Sequence, residues 1–160
     1  MRLKIGDNAP EFSLPTNGEK CLSLDQLNGR NIVLYFYPKD MTPGCTTEAI
    51  DFRDRAKEFE SLNTVIIGVS KDSPARHEKF KAKYDLNFQL LADESGALCR
   101  SYGVWQLKKF MGREFMGIVR TTFLVDQDGV IRNIWSKVKV KGHAEIVLKA
   151  ARNLSDLECQ

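Results

Sequence analysis

The chain has 160 residues, 42% of them hydrophobic and 28% charged. That suits one folded domain spanning 1–160 and excludes a disordered chain. With 24 basic and 21 acidic residues, its net charge of +3 is too small and too dispersed to point to nucleic acid or a membrane surface.

Phe12–Leu14 reads as a first strand running into Asn17-Gly18, a strong hairpin signal. Leu24–Leu27 is a short segment closed by Asn28-Gly29. Asn31–Tyr37 is continuously apolar and aromatic after its first residue, the mark of a central strand buried on both faces. It is far too short to span a membrane and stops at Pro38, which has no N–H for a ladder. A long helix is predicted from about Cys45 to Leu62, with Ala49, Phe52, Ala56 and Phe59 as its core stripe and Cys45 on the same inner face. Thr64–Ser70 is a second buried strand, so the spacing predicts a βαβ unit with parallel pairing and a right-handed crossover.

Asp72-Ser73-Pro74 starts a helix running to about Tyr84, and a shorter helix follows Asp93 and ends near Tyr102-Gly103. Gln106–Gly117 reads as a loop whose Phe110, Met111, Phe115 and Met116 either form an apolar rim or pack on the core. Val119–Val125 and Val130–Trp135 flank Asp126–Gly129 as an antiparallel hairpin. Lys137, Lys139 and Lys141 alternate with Val138 and Val140 like a solvated edge strand. A last helix, about His143 to Leu154, is expected to turn Ile146, Val147, Ala150 and Leu154 inward, while His77 and His143 read as surface residues. The order predicts an α/β fold with a mixed central β-sheet and helices on both faces.

The cysteines, Cys21, Cys45, Cys99 and Cys159, are widely spaced, with no Cys-x-x-Cys pair and only two histidines in the chain. Neither a disulfide scaffold nor a metal site is expected, and no glycine pattern suggests a phosphate-bearing cofactor. Met1–Pro10 lacks the apolar segment of a signal peptide, so the expectation is a cytoplasmic protein with reduced thiols. One cysteine stands out. Pro38–Cys45 links a strand's C-terminal end to a helix N-terminus, where open α/β sheets place ligand sites. A thiol there feels the positive end of the helix dipole, which favours its thiolate.

Pro38, Thr42 and Cys45 match the Pro-x-x-x-Thr/Ser-x-x-Cys signature of the peroxiredoxins. Glu48, Tyr102–Trp105, Gly117–Asp126 and Gly142-His143-Ala144 resemble further blocks of the bacterioferritin-comigratory-protein (peroxiredoxin Q) branch, in order and at fitting intervals. The resemblance implies a thioredoxin-like fold and thiol-dependent reduction of hydrogen peroxide and organic hydroperoxides, the latter favoured if the 106–117 segment forms an apolar rim. It implies that Cys45 attacks the peroxide and becomes a sulfenic acid. Thr42 and Arg120 then stabilise the transition state, Pro38 shields the thiolate, Gly44 and Cys45 offer backbone N–H groups, and Glu48 orients Arg120.

Ionisation alone does little for such a reaction. Lowering a thiol's pKa from about 8.5 to about 6 raises its thiolate fraction at pH 7 roughly 30-fold. The same shift lowers intrinsic nucleophilicity roughly 10-fold, so the net gain is only a few-fold and catalysis rests on the transition state.

The chain departs from its relatives where they carry a resolving cysteine: Ile50 and Lys81 occupy those positions. Cys99 and Cys159 remain as candidate resolvers, with Cys21 a weaker one. The expectation is a one-cysteine cycle in a monomer, completed by thioredoxin, glutaredoxin or glutathione. A thioredoxin-type reductase is excluded because Glu48 stands where its second cysteine would be. A redox-sensing or chaperone-like protein with poor turnover is the alternative reading.

Overall fold

The computed structural model describes residues 2–16 and 20–159. It opens with a short antiparallel pair, β1 (Ser13–Pro15) and β2 (Cys21–Ser23), whose expected turn at Asn17-Gly18 lies outside the described residues. After a single 3-10 turn at Leu24–Leu27 come β3 (Asn31–Phe36), α1 (Pro43–Ser61) and β4 (Thr64–Ser70). Then follow α2 (Pro74–Lys83), β5 (Gln89–Ala92), α3 (Ala97–Ser101), β6 (Trp105–Phe110), β7 (Arg113–Ile118), β8 (Thr121–Val125), β9 (Ile131–Trp135) and α4 (His143–Glu158).

The main sheet has the order β5-β4-β3-β8-β9. The β3–β4 and β4–β5 pairs are parallel, and β3–β8 and β8–β9 are antiparallel, which makes the sheet mixed. Residues along β3 alternate between two cores because successive side chains point to opposite faces. Ile32, Leu34 and Phe36 pack with Leu98, Cys99 and Tyr102 around α3 and the β1–β2 pair. Val33, Tyr35 and Tyr37 pack with Cys45, Ala49, Phe52 and Phe59 of α1, Phe80 of α2, and Val147, Leu148, Ala151 and Leu154 of α4. Helices therefore cover both faces. Tyr35 stacks on Phe52 with ring centroids 4.8 Å apart, which seats α1 directly on β3.

Several local expectations are corrected. The 106–117 segment is not a loop but the β6–β7 hairpin, turning at Met111-Gly112 with both residues at positive φ, as a two-residue turn of this hand requires. Leu107, Phe110, Phe115 and Met116 all stay exposed, so neither face carries the apolar alternation of a half-buried strand. Strand β5 has no mark in the sequence: Leu90 and Leu91 carry no β-branching. Residues 136–142 form no strand despite their alternation: Lys137 adopts φ +50, and Val138 N donates to Arg120 O at 3.0 Å instead of joining a ladder. In α4 the inward stripe is Ala144, Val147, Leu148, Ala151 and Leu154; Ile146 lies on the opposite side and is exposed, and Ala150 is only partly buried.

Candidate active site

Strand direction decides what meets at the C-terminal end of β3. The chain leaves β3 through Tyr37 and Pro38, turns through Asp40–Thr42, and enters α1 with Pro43 at its first turn. Strand β8 runs antiparallel to β3, with Thr121 opposite Phe36. Arg120, just before β8, therefore arrives over the same end of the sheet although it lies 75 residues from Cys45.

The predicted residues come together there. Cys45 is buried in the first turn of α1. One guanidinium nitrogen of Arg120 donates to Cys45 Sγ at 3.3 Å, and the other donates to Glu48 Oε1 at 2.6 Å. Glu48, one helical turn after Cys45, lies on the same inner face and is as buried as its apolar neighbours. Gly44 lies against the Arg120 guanidinium, close enough that a Cβ there would touch it at 3.4 Å.

Thr42 is the N-cap of α1, yet its hydroxyl donates to Lys39 O at 2.9 Å and does not cap the helix. The first helical bond is Thr46 N to Thr42 O, and Pro43 has no N–H. The N–H groups of Gly44 and Cys45 are thus left without intrahelical partners beside the sulfur. Because its proton goes to Lys39, the Thr42 oxygen is set to accept a hydrogen bond. Pro38 is partly buried at the loop's start.

Charge is balanced tightly. Burial disfavours the Arg120 charge, but Glu48 and Cys45 more than offset this, and the guanidinium is held more firmly protonated than usual. Burial pushes Glu48 up to about 7 against the opposing pull of Arg120, and among the described residues Oε2 of this carboxyl has no hydrogen-bond partner. A raised carboxyl pKa means that the folded protein holds a proton the unfolded chain releases near 4.5. The associated stability is fully present below about 4.5 and lost as pH rises through about 7. In urea titrations the parent should lose about 3 kcal/mol relative to Glu48→Gln across that window. A pH-independent difference between the two proteins would contradict this account of Glu48.

Further groups reach the site that the sequence reading did not assign to it. Lys108 on β6, its charge disfavoured by burial and then by Arg120, donates to Ile118 O at 3.0 Å. His143 is buried, contrary to the surface expectation: its Nε2 meets Thr122 Oγ1 at 2.8 Å, and burial followed by the Arg120 charge lowers it to about 4, so it is neutral at pH 7. His77 is also buried. No local signal marks Lys108 or His77, and the Gly142-His143-Ala144 block does not reveal that His143 is buried; the tertiary fold covers them.

The other cysteines lie elsewhere. Cys99 is fully buried in the core on the opposite face of the sheet, and burial, reinforced by Asp93, pushes its thiol well above the ordinary range. Cys159 ends α4, next to Glu158, whose carboxylate accepts from Asn31 Nδ2 at the start of β3. It therefore sits at the other end of β3, a six-residue strand of about 20 Å, from the end where Cys45 lies. Cys21 is exposed on β2.

The AhpC/TSA family model matches residues 5–134 of the chain. The chain belongs to that family. It is a peroxiredoxin. Peroxiredoxin Bcp of Bacillus subtilis is 49% identical over 156 residues, covering 98% of this chain and 99% of that protein. The bacterioferritin comigratory protein of Xanthomonas campestris, whose structure was described in terms of its alkyl peroxide reduction activity, superposes with a TM-score of 0.86 at 41% identity, covering 90% of this chain and 92% of that one. A cysteine-to-serine variant of PrxQ from Xylella fastidiosa gives 0.91 at 36% identity, with 97% and 99% covered. The peroxiredoxin thus has the thioredoxin-like fold expected of it and is a thiol-dependent peroxidase, acting on a peroxide with a thiol as reductant. Among the described residues, no helix is long and apolar enough to cross a membrane.

Proposed function

We propose that Cys45 is the attacking thiol and that this peroxiredoxin runs a one-cysteine cycle. The observation that carries the reading is the Arg120 fork, which contacts Sγ of Cys45 and Glu48 together above the open end of α1. The Cys45 thiolate attacks one oxygen of the peroxide as the O–O bond breaks. The leaving hydroxide or alkoxide takes a proton and departs as water or an alcohol, and the sulfur is left as a sulfenic acid. Arg120 and the free N–H groups of Gly44 and Cys45 stabilise the negative charge spreading over sulfur and oxygens. The Thr42 oxygen accepts the hydroxyl hydrogen of the attacked peroxide oxygen and holds the O–O bond in line. Pro38 limits water at the sulfur, and Glu48 keeps the fork oriented.

The sulfenic acid then condenses with an external thiol, releasing water, and a second thiol frees Cys45 by disulfide exchange. An external reductant is supported by the positions of Cys99 behind the sheet and Cys159 at its far end, and by Ile50 and Lys81. Thioredoxin, glutaredoxin and glutathione all provide the required chemistry and suit a cytoplasmic monomer. Supplied one at a time with peroxide in excess, at least one should sustain many turnovers per protein. Stoichiometric oxidation with no turnover under any of the three would favour a redox sensor instead.

A further inference from the structure

The peroxidatic loop is tied to a buried polar cluster that the cycle above does not use. Asp40, two residues before Thr42, is buried, and its Oδ2 lies 2.7 Å from His77 Nδ1 on α2. Asp40 Oδ1 accepts from Tyr37 OH at 2.6 Å, and Asp40 N donates to Asp72 Oδ2 at 2.8 Å. Asp72 also accepts from Ser70 Oγ at 2.6 Å and from Arg76 Nε at 3.0 Å. His77 Nε2 lies 2.9 Å from Leu91 O on β5.

Protons can be assigned from the partners. A carbonyl only accepts, so His77 Nε2 carries a hydrogen and donates to Leu91. The Nδ1 contact at 2.7 Å then needs one more proton shared between imidazole and carboxyl. Asp40, Asp72 and His77 present atoms within 4.8 Å of one another, and their contacts are hydrogen bonds running from β4, β5 and α2 into the loop. The next residue, Met41, is held at φ +70, a left-handed conformation costly for a residue with a side chain. Relaxing it would redirect Thr42 and the first turn of α1.

We infer that His77 is a positioning residue for the peroxidatic loop, fixing Thr42 and Cys45 through Asp40 without touching the reacting atoms. This rests on Cys45 being the attacking thiol.

Two substitutions separate the contacts of the imidazole. Nδ1 is two bonds from Cβ, as is the amide nitrogen of asparagine; Nε2 is three bonds away, as is the amide nitrogen of glutamine. His77→Asn therefore keeps a donor to Asp40 and loses Leu91, whereas His77→Gln does the reverse. In rapid mixing with hydrogen peroxide, His77→Asn should oxidise at Cys45 within about threefold of the parent rate and His77→Gln at least tenfold more slowly. Alkylation of Cys45 by iodoacetamide, which makes no use of Thr42, should not slow in either. Parent-like peroxide oxidation in His77→Gln, or equal losses in both variants and both reactions, would overturn the inference.

If either variant is insoluble, Asp40→Asn and Asp40→Ala carry the same test. The amide introduced by Asp40→Asn can accept from Tyr37 and donate to a neutral His77, so the oxidation rate should stay within about threefold, while that of Asp40→Ala falls at least tenfold. Equal rates in these two would also overturn it. Failure of Cys45 to oxidise in the parent would instead remove the reading on which the inference rests.

Discussion

Cys45→Ser is expected to slow peroxide consumption at least ~10^4-fold, the scale seen when a catalytic nucleophile is removed. Serine is nearly isosteric with cysteine, and Cys45 is buried in the packed first turn of α1, so the fold should persist. What disappears is the nucleophilic sulfur. A serine hydroxyl stays protonated near neutral pH, and the side chain that hydrogen-bonds the sulfur, Arg120, is a cation that cannot take its proton. Any remaining consumption should match the slow background of ordinary thiols. Sustained turnover by Cys45→Ser would move the chemistry to another cysteine and remove the site as built here.

Arg120→Ala should slow oxidation of Cys45 by about 10²–10³, the cost of losing one well-placed donor to a developing charge. Among the described residues, the substitution also removes the only hydrogen-bonding partner of the buried Glu48 carboxyl. Breaking a buried pair in this way usually costs about 3–5 kcal/mol. Here the penalty is smaller, because a carboxyl already pushed up to about 7 escapes by taking a proton. The double variant Arg120→Ala/Glu48→Gln removes both charges and should recover stability without recovering rate. Comparing peroxide oxidation rates of the two variants at matched thermal stability makes the check. A folded Arg120→Ala protein with an unchanged oxidation rate would exclude transition-state stabilisation by this residue.

Much of the scaffold could be read from residue order because burial was uniform. Ile32–Phe36 and Ile66–Ile67 lie in strands covered on both faces, so their apolar runs stand out, and the helix between them places Cys45, Ala49, Phe52 and Phe59 on one side. The β6–β7 hairpin is hidden for the opposite reason: away from its base at Trp105 and Ile118, Leu107, Phe110, Phe115 and Met116 are exposed, so alternation carries no information. Lys137–Lys141 shows the reverse error, with an alternating pattern on a segment whose backbone is committed to Arg120. Around the site, Cys45 stood out through its place between strand and helix. Thr42, Arg120 and Glu48 came from family resemblance, since no local period connects positions 45 and 120. His77, His143 and Lys108 depend on what the completed fold brings over them, which no short stretch of sequence records.

The most direct test of the central claim is peptide mapping by mass spectrometry after one equivalent of hydrogen peroxide, with a sulfenic-acid trap present. Trapped sulfenate is expected at Cys45 alone, with Cys21, Cys99 and Cys159 still thiols. A disulfide from Cys45 to any of those three would contradict the one-cysteine cycle, and a Cys45 that stayed reduced would contradict the active site itself.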